Sequence, residues 1–157
     1  MSIDSNPFEQ VVGYWEEVIN DMEVTADEYR EAGWDIVELH PGDVVVLDNG
    51  GFDILVPDDE FDQLTGIVDS ATLDDTKIFH AEDDGIAFVL TVVLDPEREV
   101  GVCCPLYYDL QNVDDLRKQA DREDQVAMSV RTLSNDRSVT FSHDDPDLFF
   151  PESTGEM

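Results

Sequence analysis

Basic residues are nearly missing from this chain. Eight Lys and Arg stand against 39 Asp and Glu in 157 residues, a formal net charge of −31, and lysine occurs only at Lys77 and Lys118. Contact with nucleic-acid phosphates or anionic lipid needs Lys and Arg, so neither is expected as a direct partner. Cysteine is equally sparse. The adjacent Cys103 and Cys104 make no disulfide framework, which suits a reducing cytosol. Neighbours in a strand point to opposite faces, and beside Val102 and Pro105 the two thiols read as core, not as a nucleophilic pair. No apolar run approaches the ~18–20 residues of a membrane span. The opening MSIDSNPFEQ has neither the basic nor the apolar region of a secretory signal, so a cytoplasmic location is expected. Glycine-rich nucleotide loops and the nucleophile-elbow motif are also missing. That moves common nucleotide-binding and hydrolase folds out of first place.

What is present is a folded-domain pattern under an acidic coat. Hydrophobic residues make up 41% of the chain and recur periodically, so charge-driven disorder is not expected. The acids, 25 Asp and 14 Glu, are spread through nearly every stretch. A DNA mimic would gather its carboxylates on one face, which makes that reading the weaker one. Spread charge destabilises a compact state by self-repulsion. At molar salt the Debye length falls to ~3 Å and screens most of it. The composition therefore predicts a protein adapted to molar salt and stabilised by high KCl.

The periodicity predicts one α+β domain over residues 1–157, ordered from about 6 to 150, with 151–157 frayed. Val11, Trp15, Val18, Ile19, Met22, Ala26 and Tyr29 follow helical spacing. Asn6 as cap, Pro7 in the first turn and Gly33 as stop then define a helix over 7–32. Strands are expected at 34–40, 44–47 and 52–56, then a helix at 58–70. Further strands follow at 76–82, 86–94 and 99–108, a helix at 112–124, and strands at 126–132 and 138–143. Turn signals separate them: Pro41-Gly42, Asp48-Asn49-Gly50-Gly51, Asp84-Gly85 and Asp95-Pro96-Glu97-Arg98. The order α–βββ–α–βββ–α–ββ predicts a mainly antiparallel sheet packed against a long N-terminal helix. The strand at 86–94 is apolar on both faces and must be covered twice, by the first helix and by later helices or another subunit.

Two segments, ADEYREAGWDIVELHPGDV (26–44) and VTFSHDDPDLFF (139–150), resemble parts of a haloarchaeal family of small acidic proteins of unknown function. The resemblance implies a salt-loving source and a single domain, and it brings no catalytic residue with it. The element order is also loosely similar to secretion-chaperone-like domains, a fold-level analogy.

Candidate sites are departures from the acidic background. His40, His80 and His143, with Asp144 and Asp145, are metal-ligand candidates if folding gathers them, although their spacing matches no ligand motif. His143-Asp144-Asp145-Pro146 also reads as a strand-to-turn stop. The acidic runs at 58–60 and 82–84 lack an EF-hand pattern and read as solvated surface. Arg117, Lys118, Arg122, Arg131 and Arg137 cluster in sequence. Local pairing is their ordinary reading, an anion or subunit contact the sharper one. Leu148, Phe149 and Phe150 either dock on their own domain or insert into a partner. No catalytic residue and no cofactor is identified. The expectation is a non-catalytic protein-interaction or regulatory module, working as a homodimer or with another protein. The alternative is a small-ligand or divalent-metal-binding domain, hydrolytic or not, using His and acidic residues.

Overall fold

The computed structural model describes residues 7–47, 51–83, 85–134, 138–143 and 149, with side chains from Tyr14 onward. Asn6, Asp48 to Gly50, Asp84, Arg137, Asp144, Asp145, Leu148, Phe150 and the tail 151–157 lie outside the described residues. The elements are α1 (Pro7–Glu31), β1 (Asp35–Glu38), β2 (Asp43–Val46), β3 (Phe52–Leu55), α2 (Asp58–Val68), β4 (Asp75–Asp83) and β5 (Ile86–Asp95). They continue with β6 (Val100–Asp109), a 3-10 turn (Leu110–Asn112), α3 (Val113–Glu123), β7 (Val126–Arg131) and β8 (Ser138–His143). The predicted α+β class and element order hold.

Helix α1 ends as the sequence predicts. Gly33 takes φ +97°, its N–H donates to the Arg30 carbonyl, and the Trp34 N–H donates to the Tyr29 carbonyl. These two bonds form a Schellman stop, and the Tyr29 and Trp34 rings meet across it at 5.1 Å.

The single, mainly antiparallel sheet is corrected: there are two mixed four-stranded sheets, in orders β1-β6-β5-β4 and β2-β3-β7-β8. Each contains one parallel pair, β1 with β6 and β3 with β7. The chain changes sheets three times, first between β1 and β2. Leu39 still donates to the Cys103 carbonyl of β6, whereas Gly42 already donates to Leu55 of β3. Pro41, buried between them, has no N–H to continue the first ladder.

Strand β5 is buried along nearly its whole length, which explains why two covers are needed. Leu90, Val92 and Leu94 pack with Met22 and Ala26 of α1, together with Ile36 and Cys103. The alternate residues Ala87, Val89 and Val93 join a larger cluster with Phe52, Met128 and Val130 of the second sheet, Phe61 and Leu64 of α2, and Leu116 of α3. The second cover is thus supplied by the same chain. At ~1.5–3 kcal/mol for each fully buried large aliphatic or aromatic side chain, this double burial outweighs any local strand propensity.

Candidate functional site

Among the described residues, sheet order leaves β4 at an edge, paired only with β5. Six of its nine residues are exposed and three half-buried, and at an edge its ladder of ~30 Å, at ~3.4 Å per residue, has one side of backbone groups unmatched within its sheet. Edges like this are commonly blunted by charge, and β4 carries Asp75, Lys77, Glu82 and Asp83. Phe79 interrupts that pattern at 51% exposed.

Beside Phe79 a groove of about 310 Å³ opens between β4 and α1. Val18, Val24 and Thr25 form its helix wall, Phe79 and Ala81 its strand wall, and Phe88 and Leu90 of β5 its floor. Val24, at 51% exposed, stands opposite Phe79. Asp21 and Glu28 line the helix side as well, giving an apolar trough with an acidic rim. The arrangement follows from two periods: i, i+3, i+4, i+7 spacing aims Val18 and Thr25 down from α1, and strand alternation aims Phe79 and Ala81 to the same side of the sheet. Sequence reading took residues 76–82 as an ordinary hairpin arm and missed this edge. The one signal was a large apolar residue, Phe79, in a stretch that also carries Lys77 and Glu82.

Among the described residues the structure does not gather the three histidines into one group of metal-ligand donors. His40 follows β1 at one edge of the first sheet, and His80 lies on β4 at the other, three strand spacings or roughly 14 Å away. The His40 backbone N–H and Nδ1 both engage Glu60 of α2, at 2.6 and 2.7 Å. Its neighbours of metal-ligand type are Glu23 and Glu38, whose ligand atoms lie with its own within 4.8 Å of one another. His143, buried at the end of β8, has Nδ1 3.4 Å from Thr76 Oγ1 and its ring 4.9 Å from that of Phe149. Partial burial pulls the His80 imidazole below its ordinary range, against opposing contributions from the Phe149 backbone and Glu82.

Phe149 itself sits fully inside, between Phe52 and His143, and its carbonyl accepts the Tyr108 hydroxyl at 2.9 Å. It docks on its own chain. Burial drives the Tyr108 hydroxyl above its ordinary range.

The basic group is split. Arg117, Lys118 and Arg122 ride on α3, but Arg131 on β7 makes a forked contact with Asp53 of β3, with bonds of 2.9, 3.1 and 2.9 Å. The cysteines fall on opposite faces as expected, Cys103 toward α1 and Cys104 toward the second sheet. Burial pushes the Cys103 thiol up to about 12 and that of Cys104 higher still, so neither supplies a thiolate at neutral pH.

A family model matches residues 4–151, nearly the whole chain. The chain belongs to the family of unknown function DUF7529. No curated protein and no solved structure matches it. Membership thus covers both sheets and all three helices described above, without assigning a role to any residue. No helix among the described residues is long and apolar enough to cross a membrane.

Proposed function

We propose that the chain is a non-catalytic protein-interaction module whose β4 edge takes up an extended segment of another protein. The observation that carries this reading is the exposed Phe79 on a nine-residue edge strand beside an apolar groove. Strand addition would supply main-chain hydrogen bonds for affinity, while the groove selects alternate side chains. Asp21 and Glu28 along the trough favour a partner whose apolar residues are interspersed with Lys or Arg. A second copy of the chain would bring like charges together, which makes a homodimer through this edge the less favoured occupant. The Asp-rich, Lys-poor composition supports a cytoplasm of molar salt as the setting, within a single folded domain.

A nine-residue peptide alternating Leu and Lys is the direct probe, with one alternating Leu and Glu as its control. Fluorescence anisotropy should show binding of the first alone, weakened at least about tenfold by Phe79→Asp through lost apolar contact and added like charge. No binding, or binding indifferent to Phe79→Asp, overturns the reading. Light scattering in high KCl tests the other occupant: a dimer dissociated by Phe79→Asp would assign the edge to a second copy.

A further inference from the structure

The first crossing between the two sheets, from β1 to β2, gathers three donors from separate elements. Glu23 comes from α1, Glu38 ends β1 and His40 stands at the crossing, and one ligand atom from each lies within 4.8 Å of the others. It is the one such group of His, Cys and carboxylate donors among the described residues. Two of the three donors are held from behind. Glu60 Oε2 occupies His40 Nδ1 at 2.7 Å while Oε1 accepts the His40 backbone N–H at 2.6 Å, leaving Nε2 as the nitrogen for ligation. Arg30 Nη1 donates to Glu38 Oε2 at 2.6 Å and its Nη2 to the Ile36 carbonyl at 2.9 Å, which fixes that carboxylate and leaves its second oxygen. An imidazole backed by a carboxylate, beside a carboxylate that is itself hydrogen-bonded, is the outer arrangement that orients metal ligands.

We infer that Glu23, Glu38 and His40 bind a single divalent ion, Zn²⁺ or Mn²⁺. Charge and donor type both support that choice. Arg30 is shared between Glu38 and the exposed Asp27, and the two ligand carboxylates with a neutral imidazole match a doubly charged cation. One nitrogen with two oxygens suits these ions better than Ca²⁺ or Mg²⁺, which prefer oxygen alone. Bonds of ~2.0–2.1 Å in tetrahedral geometry bring donors to roughly 3.4 Å apart, so the group contracts on binding. Glu23 lies on the exposed face of α1 and has the side-chain freedom to close that gap. With three protein ligands, a further position stays open to water.

Equilibrium dialysis of the full chain against ZnCl₂ or MnCl₂ tests this, in about 1 M KCl so that a Debye length of ~3 Å suppresses diffuse cation binding. One equivalent should bind, and Glu23→Gln should weaken it at least about tenfold. Glu60→Gln, which loosens the histidine from behind, should cost about 10–100-fold. Glu17→Gln, an exposed acid elsewhere on α1, should leave binding unchanged. No bound ion, several weak equivalents, or equal losses from Glu17→Gln and Glu23→Gln would each overturn the assignment. Because Glu23 is exposed, its variant keeps the fold, which a circular-dichroism melt checks directly.

Discussion

Asp95 is one carboxylate in a chain dominated by them, yet it is only 4% exposed. Its Oδ2 accepts the Thr72 N–H at 2.9 Å, and its Oδ1 accepts those of Glu97 and Arg98 at 3.1 and 3.3 Å. These bonds, that of Thr72 foremost, hold the acid below its ordinary range, with the Arg98 charge adding to them. A depressed folded-state value means stabilisation is present above the unfolded value of about 3.9 and is lost as pH falls through the folded one. Asp95→Asn should therefore lower the melting temperature at neutral pH, with the gap to the native chain closing in acid. Melts from neutral pH downward check this, and a gap that stays constant contradicts it. The sequence reveals Asp95 as the start of a turn. Its bond to Thr72, 23 residues upstream, arises only once the connection after α2 lies against that turn.

Gly101 shows the same division at the scale of an element. Strand β6 is central, with β1 on one side and β5 on the other, and Gly101 stands opposite Ile36 and Leu94. A Cβ there would lie 2.6 Å from Leu94 Cδ2, 2.9 Å from the Val93 carbonyl oxygen and 3.2 Å from Ile36 Cδ1. The carbonyl belongs to the neighbouring ladder and cannot swing away as a side chain can. Gly101→Ala should cost about 1–3 kcal/mol, as overpacking does, read as a lower urea midpoint with unchanged slope. Element boundaries were largely readable from local pattern: the predicted strand at 138–143 is β8 as observed, and β5 extends the predicted 86–94 by one residue. Strand partners were not. Alternation says which face of β1 or β3 is apolar, but not that each pairs in parallel with a strand more than 60 residues onward.

Over the whole molecule, repulsion among the acids opposes folding until salt screens it. Between about 0.1 and 1 M salt the Debye length shrinks from ~10 to ~3 Å, which removes repulsion between all but adjacent charges. Salt also weakens favourable pairs such as Arg30 with the exposed Asp27, but exposed pairs are worth only ~0–1 kcal/mol. KCl should therefore raise the melting midpoint steadily, and circular-dichroism melts across a KCl series measure it. A midpoint indifferent to KCl contradicts the salt-adapted reading.

The sequence by itself determined the α+β class, the order of elements, the doubly covered β5 and the acidic coat. All of these rest on periodicity and composition, which are local or additive quantities. Tertiary structure decided the rest. Burial of β5 on both faces drew a second sheet over the first, with Pro41 ending one ladder so that β2 could enter another. That crossing set His40 beside Glu23 and Glu38, and the sheet order left β4 with Phe79 at the edge of its sheet. Phe149 went inward for the same reason: the space between Phe52, Tyr108 and His143 exists only after strands distant in the chain have packed.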